Sequence, residues 1–203
     1  MKTLTERYAY FRAQGDDDWR FDSAAWYTLA PKVMLGQMDD VEKMAHAFRS
    51  ILTVDKDEKW LLAHYLGQLL IAGRKTGLEA GQVEDLISRF EVLDMSARGT
   101  HMETAFYWIA AAYSRFDLAV NDRAALPRFR VSLKKLGQTP RHPTARAHFD
   151  VLTSALAWLD GRQRVYTRSM ERATQTAKLH DNRWALTELN QLQLRMKQAG
   201  GFR

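Results

Sequence analysis

The sequence predicts an all-α chain of about four helical hairpins in tandem with a closing C-terminal helix. Apolar residues recur at helical spacing through almost all of its 203 residues. Glycines, prolines and capping residues divide that pattern into segments of helix length. The key apolar positions also recur when the sequence is shifted by about 43 residues.

Residues 3 to 14 make a short amphipathic helix through Leu4, Tyr8 and Phe11, stopped by Gly15. The run Asp16, Asp17, Asp18 lacks the alternating ligands and glycine of a calcium loop, so it reads as solvated charge. Residues 1–21 are therefore set apart as an N-terminal helix and acidic loop, and residues 22–203 as one helical-repeat domain. From Asp22, Ala25, Trp26 and Leu29 lead to Val33 and Met34, with a kink or restart at Pro31 and a stop at Gly36. Asp39 and Glu42 have capping-box spacing ahead of Val41, Met44, Ala45, Phe48, Ile51 and Leu52.

A helix opened by Asp57 turns Leu62, Ala63, Leu66, Leu69 and Leu70 inward and is broken by Gly73 and Gly77. Its partner offers Val83, Leu86, Ile87, Phe90 and Leu93. Thr100 and Glu103 repeat the capping box before Phe106, Ile109, Ala112, Tyr113 and Phe116. The next helix starts near Pro127, buries Phe129, Leu133 and Leu136, and stops at Gly137. Pro143 suits a first helical turn, with Leu152, Ala155, Leu156 and Leu159 as the stripe and Gly161 as the stop. A helix from about Gln163 to His180 follows, and Asp181 is the expected cap of a last helix ending near Gly200.

Under the shift of about 43, Ala63, Phe106 and Phe149 correspond, as do Leu66, Ile109 and Leu152. So do Leu69, Ala112 and Ala155, and Leu70, Tyr113 and Leu156. In the second helices Phe48, Phe90, Leu133 and Ala177 align with a drift of one residue per step, as variable loops between repeats would give.

Paired helices of this length in tandem resemble the tetratricopeptide (TPR)-like superfamily. The likeness is strongest over residues 143–200, where Gly161 turns the chain and Ala173 and Ala177 are small at the expected helix crossing. There the run ERATQTAKLHDNRWALTELNQLQLRMKQAG looks like the longer-helix regulatory domain of the bacterial maltose activator. Leu66 and Gly67 match the family's Leu-Gly pair, whereas Ala63 stands in place of its Trp and Leu70 in place of its Tyr. The resemblance implies a TPR-like α-solenoid that recognises a peptide, a protein or a small effector, with first helices lining a concave face.

Composition narrows the function. No apolar run approaches the roughly 20 residues that span a bilayer, and the N-terminus is too charged for a signal peptide, so a cytoplasmic location and no membrane partner are expected. The absence of cysteine excludes disulfides, thiolate catalysis and cysteine zinc sites. His46, His64, His101, His142, His148 and His180 show no ligand spacing, and GRKTG at residues 73–77 lacks the rest of a P-loop. No catalytic residue, metal or cofactor is implied, and no helix-turn-helix is recognisable at either end. Residues 1–97 carry a net charge of −4 and residues 98–203 one of +10, an asymmetry that suits an anionic partner, self-association into a homo-oligomer, or a solvated helical surface.

Two surfaces stand out. One row on the first helices reads Trp60, Glu103 and Arg146, then His64, Tyr107 and Asp150, then Gln68, Ala111 and Ser154. It is the candidate groove for a protein or peptide partner, or alternatively an ordinary helix surface with a Glu103 to Arg146 ion pair. The other is a basic ridge, Arg164, Arg168 and Arg172, continued on the preceding second helix by Arg128 and Lys135. An adaptor, chaperone-like or regulatory interaction module is the expected function. A nucleic-acid-binding helical protein using the ridge, or a small-effector-sensing regulatory domain, is the alternative.

Overall fold

The computed structural model describes residues 59–99, 102–139 and 143–201, so the elements expected before residue 59 lie outside the described residues. Among the described residues there are seven α-helices and no strand. They are α1 (Lys59–Thr76), α2 (Ala80–Glu91), α3 (Met102–Asn121), α4 (Leu126–Leu136), α5 (Pro143–Leu159), α6 (Gln163–Leu179) and α7 (Arg183–Gln198). Short 3₁₀ turns at Ala97–Gly99 and Arg123–Ala125 precede α3 and α4.

The helices pair as α1 with α2, α3 with α4 and α5 with α6, while α1 packs on α3 and α3 on α5. α7 lies against both α5 and α6. The equivalent positions of the first helices are the centre of the core. Leu66, Ile109 and Leu152 are buried, as are Leu69, Ala112 and Ala155. Every methylene withdrawn from water at these sites contributes about 0.8 kcal/mol, so this apolar seam is a principal source of stability. Phe90 and Leu133 seal it from the second helices. Ala173 and Ala177 are fully buried, and Ala177 meets Ala147 and Ala185 where α5, α6 and α7 come together.

Glycine sets the closest approach. A Cβ on Gly67 would lie 2.9 Å from the Tyr107 Cα and 3.0 Å from its backbone nitrogen, so α1 and α3 cross at van der Waals contact only because position 67 has no side chain. The helix ends share one device. At Gly77 (φ 85°), Gly161 (φ 70°) and Gly200 (φ 81°) the chain turns through the left-handed region, and the following N–H returns to a carbonyl inside the helix.

Several local expectations are corrected. Gly73 does not break α1, which runs to Thr76; it lies inside the last turns, against the Leu78 side chain. Asp181 does not cap α7. It takes the left-handed conformation (φ 45°), and the Asn182 side chain caps α7 by accepting from the Ala185 N–H at 3.0 Å. Glu79 is the N-cap of α2, its backbone N–H donating to Gln82 Oε1 at 3.1 Å.

Candidate functional site

The densest polar chemistry lies where α1, α3, α5 and α7 face one another. Arg74, near the end of α1, donates from Nε to Asp117 Oδ2 on α3 at 2.7 Å. The same guanidinium grips Glu188 on α7 with Nη1 at 2.7 Å and Nη2 at 3.1 Å, the fork geometry that matches a carboxylate. Arg195, two turns further along α7, donates to the other oxygen of Asp117. Two cations and two carboxylates thus join three helices with no excess charge.

Aromatic groups wall the cluster. The Arg74 guanidinium stands 4.6 Å from the centre of the Tyr113 ring. Trp184 lies tilted against His148, with ring centres 4.1 Å apart, and its Nε1 donates to Glu188 Oε1 at 3.0 Å. The Tyr113 hydroxyl lies 3.0 Å from His148 Nδ1.

Burial governs ionisation here. It opposes the charge on Arg74, but Asp117 and Glu188 outweigh it, so Arg74 holds its proton more firmly than a free guanidinium. Burial also disfavours ionised Asp117, yet the Arg74 charge and hydrogen bond, joined by Arg195, hold its carboxyl below the usual range. Buried beside Arg74, His148 is depressed to about 3 and stays neutral. Burial pushes the Tyr113 phenol well above its ordinary value, so Tyr113 and His148 meet as two neutral groups joined by one hydrogen bond at Nδ1. A void of about 10 Å³ lined by Tyr113, Phe116, Glu188 and Arg195 has room for about one water. The chemistry of this cluster is therefore to hold helices together.

The candidate groove row is distributed differently from the expectation. Trp60, His64 and Glu103 belong to α1 and α3 by backbone, and their side chains lie outside the described part. Gln68, Ala111 and Ser154 are buried. Tyr107 is 1% exposed, its ring stacked on Phe90 of α2 at a centroid distance of 3.4 Å, with Trp108 edge-on. Asp150, also 1% exposed, accepts from Arg172 at 2.7 Å and pairs with Arg146 at 3.3 Å. Gln68, Tyr107, Ala111, Asp150 and Ser154 form a seam between packed helices, because α2 covers the start of α3 and α6 covers α5, whereas Arg146 is exposed. Tyr107, Gln68 and Asp150 offer a partner no surface.

The ridge is divided too. Arg128 pairs with Glu84 of α2 at 3.6 Å, and Lys135 with Glu91 at 3.4 Å while lying over the Trp108 ring. Arg115 reaches the same two carboxylates from α3, so two acids of α2 are shared among three cations on this flank of α4. Arg172 is committed to Asp150. Arg164 and Arg168 are exposed, and neither has a carboxylate in ion-pair range among the described residues.

Arg74 and Asp117 are partly buried structural charges that the helical pattern of the sequence does not single out. They are 43 residues apart, each one turn beyond a matched core position, Leu70 and Tyr113, so the recurrence itself carried the signal of an opposite-charge pair. Elsewhere, a cleft of about 360 Å³ opens beside the α5–α6 turn, walled by Val120, Arg123, Trp158 and Asp160. Arg123 donates there to the Leu159 carbonyl at 2.7 Å, and Trp158 Nε1 to the Gly201 carbonyl at 3.3 Å. Among the described residues no helix is long and apolar enough to cross a membrane, and no group of acidic or histidine side chains has the arrangement of a metal site. Comparison with protein-family models, with curated proteins and with solved structures gives no match in any of the three.

Proposed function

We propose that the chain is a TPR-like protein-interaction module that takes an acidic stretch of a partner protein on the outer flank of α6. One observation carries this reading: Arg164 and Arg168 are the members of the basic ridge left without a carboxylate among the described residues, and they stand one turn apart on an exposed face. Val165, 37% exposed, lies between them, and on α4 the exposed Val131 lies near Lys134. A surface mixing guanidinium and small apolar groups suits an acidic peptide, where bidentate Arg–carboxylate pairing adds geometry to attraction. The nested hairpins, with matched buried positions on α1, α3 and α5, support the helical-repeat part of the reading.

The test is affinity capture from lysate with and without nuclease, comparing the native chain with an Arg164→Glu/Arg168→Glu variant. A defined protein that survives nuclease and is lost from the variant supports the reading. The same protein captured equally by the variant removes the α6 flank from consideration. Capture that disappears with nuclease assigns the two arginines to nucleic acid instead.

A further inference from the structure

Among the described residues, the reversal between α6 and α7 is the one made with neither glycine nor proline, although, like the end of α2 at Asp94 (φ 50°), it turns on a left-handed aspartate. Gly77, Gly99, Gly137 and Gly161 mark the links after α1, α2, α4 and α5, and Pro127 marks the first turn of α4. From Gln163 to Ala199 there is neither glycine nor proline. The break is made by Asp181 at φ 45°, a conformation that disfavours any residue with a Cβ. The Asn182 N–H returns to the Ala177 carbonyl at 2.8 Å, and the exposed Asp181 pairs only with nearby Arg183, at 3.5 Å. The elbow carries a second cost, because Asn182 Nδ2 is buried with no hydrogen-bond acceptor among the described residues.

The elbow is therefore imposed by what lies beyond it. Trp184, Glu188 and Arg195 anchor α7 on Tyr113, His148, Arg74 and Asp117, all more than thirty positions away in sequence. Those anchors are indifferent to which copy of the chain supplies them.

We propose that α7 exchanges between two copies of this chain: the elbow opens, residues 163–198 run as one helix, and each α7 docks on the Arg74–Asp117 face of the other copy. The occupant of that face is a second copy because α7 carries the matched set, Glu188 for Arg74, Arg195 for Asp117 and Trp184 for the Tyr113–His148 wall. Exchange preserves every docking contact and relieves the left-handed residue and the orphaned amide at both elbows, so concentration and the residue at position 181 set the balance.

The full chain is unfolded, refolded over a range of concentrations, and its mass measured by light scattering. Asp181→Ala, strained in the elbow and favoured in a continuous helix, raises the dimer-to-monomer ratio about tenfold or more, and Asp181→Gly lowers it. The exchange itself is read by co-refolding Arg74→Glu with Glu188→Arg. Each variant alone faces like charges, whereas the exchanged heterodimer restores one native Arg–Glu pair and one reversed pair. A co-refolded dimer melting above either variant supports exchange. A ratio indifferent to residue 181, or a mixture melting as its two components do, overturns it.

Discussion

Arg74 and Glu188 are joined by two parallel hydrogen bonds, 2.7 and 3.1 Å long, although 114 positions separate them in sequence. Both side chains are nearly buried, at 9% and 5% exposure. Removing one partner leaves the other charge buried, which costs about 3–5 kcal/mol. Arg74→Met is expected to lose that much in urea unfolding, and Arg74→Met/Glu188→Met to recover part of it. A single variant within 0.5 kcal/mol of the native chain would contradict the clamp.

The pH dependence follows from His148. Its folded-state value is depressed to about 3 from the ordinary 6.5, so below pH 6.5 the unfolded chain binds this proton while the folded chain does not. Stability is then full above pH 6.5 and falls by about 1.4 kcal/mol per unit as the pH drops toward 3. Asp117, held below its ordinary range, acts in the same direction once the pH falls below about 4. His148→Gln should flatten the slope between pH 6.5 and 4 in denaturant titrations. An unchanged slope would show that another group titrates there.

Two glycines inside helices predict opposite outcomes for one substitution. Gly67→Ala gains about 1 kcal/mol of helix propensity but drives a methyl into the Tyr107 backbone, and should destabilise by about 1–3 kcal/mol overall. Gly81→Ala in α2 meets nothing within 4 Å and should stabilise by up to about 1 kcal/mol. Thermal melts of the pair test the α1–α3 crossing directly.

Tyr107→Ala should cost about 3–5 kcal/mol, because it empties the space stacked on Phe90. Tyr107→Phe keeps the ring and should stay near the native value. Any loss of partner capture in the alanine variant must therefore be judged against its folded fraction.

The rows Leu66, Ile109, Leu152 and Leu69, Ala112, Ala155 were legible because burial imposes the helical period on the sequence itself. Pro143 and Gly161 were legible as helix ends for the same local reason: a missing N–H and a left-handed φ are properties of single residues. The neighbours of each face were not legible. Periodicity places Tyr107 and Asp150 together on one side of their helices, but it cannot say that α2 and α6 lie over that side. Nor does a charged residue announce a buried partner. Arg115 reads as an ordinary helix-surface residue until Glu84 and Ser132, from two other helices, are seen to surround it. The cap of α7 falls one residue later than the sequence suggests, because Asp181 and Asn182 are both good caps and only the fold chooses between them.

The span from Arg74 to Glu188 also fixes an order of events during synthesis. Once Arg74 has been made, another 114 residues must be added before its carboxylate partner exists. At about 5–20 residues per second this interval is about 6–23 seconds. Through that time the guanidinium depends on Asp117 alone, available only after the first 43 residues of the interval. The nascent chain can assemble its hairpins one after another as they emerge, but the clamp that ties the first described helix to the last is set only when α7 arrives.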